Sequence, residues 1–232
     1  VLKLAGPATS SSIQNELHLE QIDMASPVLR NSDQVLDFLA SSRQTLIRAA
    51  EANGVAIVAA GTNPCRLPEH VFITPKPRYE MMAEQYQALA RELVIFGCHV
   101  HVDMPDRDLG VRIMNYARPW LPLLQAMSTN SPFWQGEDTG YESYRRELWV
   151  RWPMSGIPHW FDNFDDYDEC VKQLVRAGAI DDETKIYWDI RLPTKVDTIE
   201  FRIFDIQTDL VDCAALVAIT RALVMRCERA VL

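Results

Sequence analysis

The run "FGCHVHVDM", Phe96 to Met104, constrains the fold more than any other stretch of this sequence. Side chains alternate between the two sides of a β-strand, so residues two apart share a face. As a strand, this run puts Val100 and Val102 on one face and His99, His101 and Asp103 on the other. The first face must be buried. The second is either packed or part of a site.

Other segments repeat the pattern. "IQNELHLEQIDMASPV", Ile13 to Val28, reads as a strand with Glu16, His18 and Glu20 wet against Leu17 and Leu19, ending at the Ser26-Pro27 break. "VAIVAAGTNP" reads as a short β-branched strand closed by a turn, and "KIYWDIRLP" and "TIEFRIFD" as two strands joined by a turn. Helical periodicity predicts a helix after Asn31 or Ser32, stopped at Gly54. Others are predicted from Tyr79 to about Leu93, from about Asp106 to Met127, over "FDNFDDYDECVKQLVRAG" with an acidic start and a basic end, and from Leu210 to Val231. Polar-faced strands among helices predict an α+β fold as one domain over 1–232, with a largely antiparallel sheet and helices packed on one face.

Composition excludes several classes. A net charge of -9 argues against a protein that grips a phosphate backbone and leaves no nucleic-acid partner expected, whereas a metal-screened nucleotide remains compatible. Five scattered cysteines, with no CxxC spacing, suit a reducing cytoplasm, and Cys98, Cys213 and Cys227 read as small core residues. No run approaches the ~20 apolar residues that would span a bilayer, so no membrane partner is expected. The opening "VLKLAGPATSSSIQNEL" does not read as a signal peptide. The sequence has no GxxxxGK[ST], no GxGxxG and no GxSxG.

Polar residues recur on the strand faces: Glu16, His18, Glu20 and Asp23; His99, His101 and Asp103; Asp189 and Arg191; Glu200 and Arg202. A solvated face explains any one of them. As a group of carboxylates with imidazoles they suit Mg²⁺ or Mn²⁺, and the cysteines are wrongly placed for zinc.

"GCHVHVDMP", "TNSPFWQGEDTGYESYR", "AAGTNP", "TPKPRY" and "WDIRLP" followed by "TIEFRIFD" together resemble the carboxylate–amine ligases, or glutamate–cysteine ligase type 2, within the glutamine synthetase/guanido kinase-like superfamily. The resemblance runs from about Glu16 to Arg221. It implies a glutamine synthetase catalytic-domain-like sheet holding ATP and divalent ions on its concave face. It also implies that ATP phosphorylates a carboxylate, typically the γ-carboxylate of glutamate, and that an amine such as cysteine attacks the acyl phosphate.

Carried over by position, the resemblance makes Glu16, Asp23, His99 and Glu200 the expected metal ligands for Mg²⁺ or Mn²⁺. Arg202 and Arg145 are the expected catalytic arginines, and His101 and Arg78 the expected nucleotide-binding residues. The guanidinium fork of Arg145 or Arg78 would suit carboxylate or phosphate. Phe133 and Trp134 are expected as a packed wall near the pocket. Two positions depart from the family pattern: Asp23 stands where Glu is usual, and Asp103 where Gly is usual. The family's opening strand of the type "GVEEEF" does not occur in this sequence, and family members continue beyond the helix after "TIEFRIFD". Two readings follow. One is a cytoplasmic ATP-dependent ligase joining a glutamate-like carboxylate to an amine. The other is a degenerate ligase-fold protein that binds a nucleotide or amino acid, or acts in assembly, without catalysis. The apolar terminal helix leaves a homo-oligomer open.

Overall fold

The computed structural model describes residues 13–65 and 71–232. Residues 1–12 of the opening segment read against a signal peptide, and residues 66–70, fall outside them. The chain divides into two compact units. One comprises Val1–Phe96, Asn130–Tyr144 and Ile206–Ala215; the other comprises Gly97–Thr129, Arg145–Asp205 and Leu216–Leu232.

In the first unit, Ile13–Asn15 (β1) and Ile22–Met24 (β2) pair antiparallel, Ile13 against Met24. The predicted single strand over 13–28 is therefore a hairpin. At its turn two residues depart from the expected faces: His18 is fully buried while Leu19 is half exposed. The His18 amide is bonded to the Gln21 side chain and its ring Nε2 lies 2.9 Å from the Ala90 carbonyl, so the polar residue at the bend is satisfied inside. Ile13, Ile22 and Met24 pack with Leu46 of helix Ser32–Glu51 (α1). The Asn31 side chain caps α1 by accepting from the Gln34 amide.

"VAIVAAG" departs from expectation. Val55, Ile57 and Val58 are exposed and form no strand. Strand preference is realised only where a partner supplies the ladder. Here the Ala59 carbonyl instead accepts from Asn130 Nδ2 at 3.3 Å and Thr208 Oγ1 at 2.7 Å. The helix expected from Tyr79 is two, Pro77–Tyr86 (α2) and Ala88–Glu92 (α3), divided at Gln87 with φ 50°.

In the second unit, Gly97–Asp103 (β3), Ile190–Arg191 (β8) and Thr198–Asp205 (β9) form an antiparallel sheet in the order β3-β9-β8. Between β3 and β8 in the chain lie four two-residue strands. Phe133–Trp134 (β4) and Glu137–Asp138 (β5) pair with each other in the first unit. Ser155–Gly156 (β6) and Tyr187–Trp188 (β7) form a parallel pair in the second. Register places His101 opposite Glu200 and Arg191 opposite Glu200, with a bulge between Cys98 and Val100. Val100, Ile190, Leu192, Ile199, Phe201 and Ile203 turn to the core. Against them pack Arg107–Ala117 (α4), Leu121–Met127 (α5), Phe164–Arg176 (α7) and the larger part of Leu210–Val231 (α8). A short helix, Tyr144–Trp149 (α6), lies between α5 and α7 in the chain. The α+β class with antiparallel strands is as expected. The single helix expected over 106–127 is broken by a 3₁₀ turn at Arg118–Trp120, where Pro119 and then Pro122 remove amide donors.

Candidate functional site

The sheet of the second unit has one apolar face by necessity, because helices cover it. Alternation then forces His99, His101, Glu200, Arg202 and Arg191 onto the other face. That face is charged and largely buried: Glu200 is 2% exposed and Arg202 is 8% exposed. Burial of ions is tolerated only when they are paired. Accordingly, Arg202 Nη1 donates to Glu200 Oε1 at 2.5 Å and Arg191 Nε donates to Glu200 Oε2 at 2.6 Å. His99 Nδ1 and His101 Nε2 lie 3.6 and 3.7 Å from the same Oε1. His101 Nδ1 is also 2.9 Å from Thr198 Oγ1. Arg191 Nη1 donates to the carbonyls of Thr184 and Ile186, tying the chain before β7 to the cluster.

The electrostatics follow from that packing. Burial alone would raise the Glu200 pKa, but Arg202 and Arg191 outweigh it and hold the carboxyl far below its ordinary value. Burial, then the Arg202 guanidinium, pushes His99 well below the ordinary imidazole value, against the pull of Glu200. Two-fifths of the His99 side chain meets solvent, and its Nδ1 lies 3.5 Å from Arg202 Nη1. Burial lowers His101 likewise. With both imidazoles neutral, one carboxylate and two guanidinia leave the cluster at about +1, which favours an anion.

Arg202 is clamped on its faces too. Its guanidinium carbon lies 5.9 Å from the Trp149 ring centre and 6.0 Å from that of Tyr187. Those two rings meet edge-on at 5.5 Å, and Trp152 lies 6.5 Å from Trp149 and 6.1 Å from Tyr187. Asp189, fully buried two residues beyond Tyr187, pairs with Arg146 of α6 at 2.5 Å, and its carbonyl accepts from the Arg202 amide at 2.8 Å.

The expected site residues thus fall into groups. His99, His101, Glu200 and Arg202 are together. Arg145 is buried in the same unit but is occupied by Asp205 at 3.5 Å and by the carbonyls of Ile203 and Arg202. It holds the end of β9, and burial lowers its pKa. Gly97 makes room for it, because a Cβ there would lie 2.5 Å from Arg145 Nη2. Glu16, Asp23 and Arg78 belong to the first unit. There, Tyr79 is pushed up to about 12 by burial and then by the Glu16 charge, with Arg78 and Asp23 also acting on it. Phe133 is half exposed, while Trp134 lies 6.1 Å from Tyr144. Asp103 is exposed opposite Thr198.

Arg191 and Asp189 were visible in the sequence only as members of a polar face, although the alternation in "WDIR" signals both. Arg146 and Trp149 were missed. Their only signal is the placement of "YRRELW" after a glycine-rich loop, with Arg146 and Trp149 one helical turn apart.

A divalent ion at Glu200 does not fit this arrangement. Each Glu200 oxygen already accepts from a guanidinium, and two such cations would repel a third. Among the described residues no group of three His, Cys, Asp or Glu side chains could hold a metal ion.

An antiparallel sheet with helices on its apolar face and a buried ionic cluster on the other defines an α+β domain, and sequence comparison places it more closely. Residues 2–231 match the family described as Glutamate-cysteine ligase family 2 (GCS2), and the chain belongs to that family. It is 54% identical over 215 residues to "Putative glutamate--cysteine ligase 2" of Rhodopirellula baltica, covering 93% of this chain and 58% of that protein. It is 40% identical over 223 residues to "Putative glutamate--cysteine ligase 2-3" of Mycolicibacterium smegmatis, covering 96% and 61%. To "Putative glutamate--cysteine ligase 2" of Roseiflexus castenholzii it is 39% identical over 214 residues, covering 92% and 56%. The chain therefore spans about three-fifths of the length of these relatives. Among the described residues no helix is long and apolar enough to cross a membrane.

Proposed function

We propose that the protein is an ATP-dependent carboxylate–amine ligase acting on glutamate or a similar carboxylate and an amine such as cysteine. The observation that carries this reading is the buried Glu200–Arg202–Arg191 cluster, on a chain of the glutamate–cysteine ligase family. In the proposed reaction a carboxylate oxygen of the substrate takes the γ-phosphoryl group of ATP, releasing ADP. The amine nitrogen then forms a bond to the acyl carbon, inorganic phosphate leaves, and the nitrogen gives up a proton. Arg202 offsets the negative charge that gathers on the phosphoryl and acyl oxygens, and its fixed position lowers the cost of reorganisation. Glu200 keeps Arg202 ionised and aimed. His101 is the proposed contact of the nucleotide. His99 lies beside Arg202 and Glu200, and burial keeps its imidazole pKa lowered. Mg²⁺ or Mn²⁺ enters this reading as the counter-ion of the nucleotide's phosphates. The reaction is assigned to the cytoplasm.

The test is ADP formation from ATP with L-glutamate and a panel of amines, using the full-length protein. Turnover that requires both glutamate and an amine, falling on the order of 10²-fold or more in Arg202→Ala, supports the reading. Absence of glutamate-dependent ADP formation with every amine overturns it. The second reading, a ligase-fold protein that binds without catalysis, is favoured by one observation: Glu200 is fully engaged by arginines. That reading expects nucleotide or amino-acid binding with no ADP formed.

A further inference from the structure

Among the buried side-chain atoms of the second unit with no hydrogen-bond partner among the described residues are three that share one neighbourhood: Arg202 Nε, Trp149 Nε1 and Asp189 Oδ2. A buried polar atom left unsatisfied costs about 1–3 kcal/mol, so each calls for a ligand. The three residues also bound one another. The Trp149 ring centre lies 5.9 Å from the Arg202 guanidinium carbon, the Asp189 carbonyl accepts from the Arg202 amide, and Arg146, one turn before Trp149 on α6, holds the other Asp189 oxygen. Tyr187 closes the ring against both Trp149 and Arg202.

Two donors, one of them on a cation, complement a carboxylate. An anionic acceptor complements an ammonium. A molecule bearing both charges on a short scaffold would satisfy all three atoms, and the aromatic rings around them sharpen the preference because they strengthen charge pairing.

We propose that Arg202 Nε, Trp149 Nε1 and Asp189 Oδ2 form the subsite for the zwitterionic head of an α-amino acid. Its carboxylate is taken by the two N–H donors and its ammonium by Asp189. This subsite rests on the ligase reading for its use, and it names the head group by which that reading's substrate is gripped. Glutamate and cysteine share this head, so binding of each identifies which substrate occupies the subsite.

The test is titration calorimetry on this 232-residue chain without nucleotide. The probes are L-glutamate, L-cysteine, glutarate, which lacks the amine, and 4-aminobutyrate, which lacks the α-carboxylate. At least one amino acid is expected to bind, and if it is glutamate, both analogues bind tenfold or more weaker. Asp189→Asn is expected to erase the preference for glutamate over glutarate and to keep that over 4-aminobutyrate. Trp149→Phe, a conservative change, is expected to shrink the second preference and keep the first. A merely structural role for these residues would weaken all ligands together. If cysteine alone binds, the same pattern is read with its deaminated and decarboxylated analogues. Equal binding of amino acid and analogues, uniform weakening in both variants, or no amino-acid binding overturns the subsite. ADP formation is read separately: turnover without these preferences removes the subsite alone, and preferences without turnover remove the ligase reading alone.

Discussion

At the residue scale the cluster around Glu200 is a set of mutual dependencies, and its members should fail differently. Removing Arg202 leaves a carboxylate 2% exposed with Arg191 as its only guanidinium partner. Breaking a buried pair from one side costs about 3–5 kcal/mol, so Arg202→Ala should approach that figure in urea unfolding. Arg191→Ala should cost less, about 2–3 kcal/mol, because its 14% exposed side chain leaves Glu200 better hydrated on that side. The order of the two losses checks the argument; a larger loss at Arg191 contradicts it. Gly97 depends on Arg145 in the same way. An added Cβ would lie 2.5 Å from Nη2 and 3.2 Å from the Phe204 carbonyl oxygen, and the guanidinium is pinned by Asp205 and two carbonyls. Gly97→Ala should therefore cost about 1–3 kcal/mol, read as a lower denaturation midpoint. Much of this cluster was legible in the sequence, since strict alternation forces His99, His101, Glu200 and Arg202 onto polar faces. What alternation cannot give is who pairs with whom. Arg145 looked like an anion-binding fork and is instead occupied by Asp205, while its neighbour Arg146 reaches Asp189.

At the element scale the sequence was readable where one local rule dominates and misleading where a partner decides. Asn31, Asp106 and Asn163 each accept from the amide three residues on, and the helices they open begin as expected. "VAIV" carries strong strand preference but has no ladder partner among the described residues, so it stays irregular. The 13–28 segment folds back at His18–Gln21 because a buried histidine and glutamine find carbonyls at Ala90 and Ile95, contacts more than seventy residues away that no local pattern contains. The break between α2 and α3 is likewise invisible in composition: "EQYQALA" is good helix sequence, yet Gln87 takes φ 50° and ψ -116°. That conformation costs a residue bearing a Cβ about 1–3 kcal/mol, whereas glycine adopts it freely at an entropic cost of about 0.5–1 kcal/mol. Gln87→Gly should therefore stabilise the protein by about 1 kcal/mol. A loss of stability in that variant would mean that the two short helices are one.

At the scale of the whole molecule, three histidines set the response to mild acid. His18 in the first unit and His99 and His101 in the second all have pKa values lowered, with burial the largest cause in each. The unfolded chain titrates them near 6.5 and the folded chain only below that, so beneath about pH 6.5 the unfolded state binds more protons and stability falls as pH falls. Fully buried His18 can contribute up to about 1.4 kcal/mol per pH unit. His99 and His101, about two-fifths exposed, contribute less because solvent screens them. Glu200 acts elsewhere. Its lowered pKa stabilises the fold above the ordinary carboxylate value and is lost only below it, so the interval between about pH 6.5 and 5 belongs to the histidines. An opposing effect exists, because protonation reduces the repulsion of a chain with net charge -9. At physiological ionic strength the screening length is about 8 Å, which suppresses that surface term more than the buried one. The denaturation midpoint in 0.15 M salt should therefore drop steadily from about pH 7 to pH 5. His18→Gln keeps a donor for the Ala90 carbonyl and cannot titrate, so its midpoint should vary less steeply over that interval whatever its absolute stability. A midpoint that rises on acidification, or an unchanged slope in His18→Gln, would show that surface charge rather than buried imidazole governs the acid response.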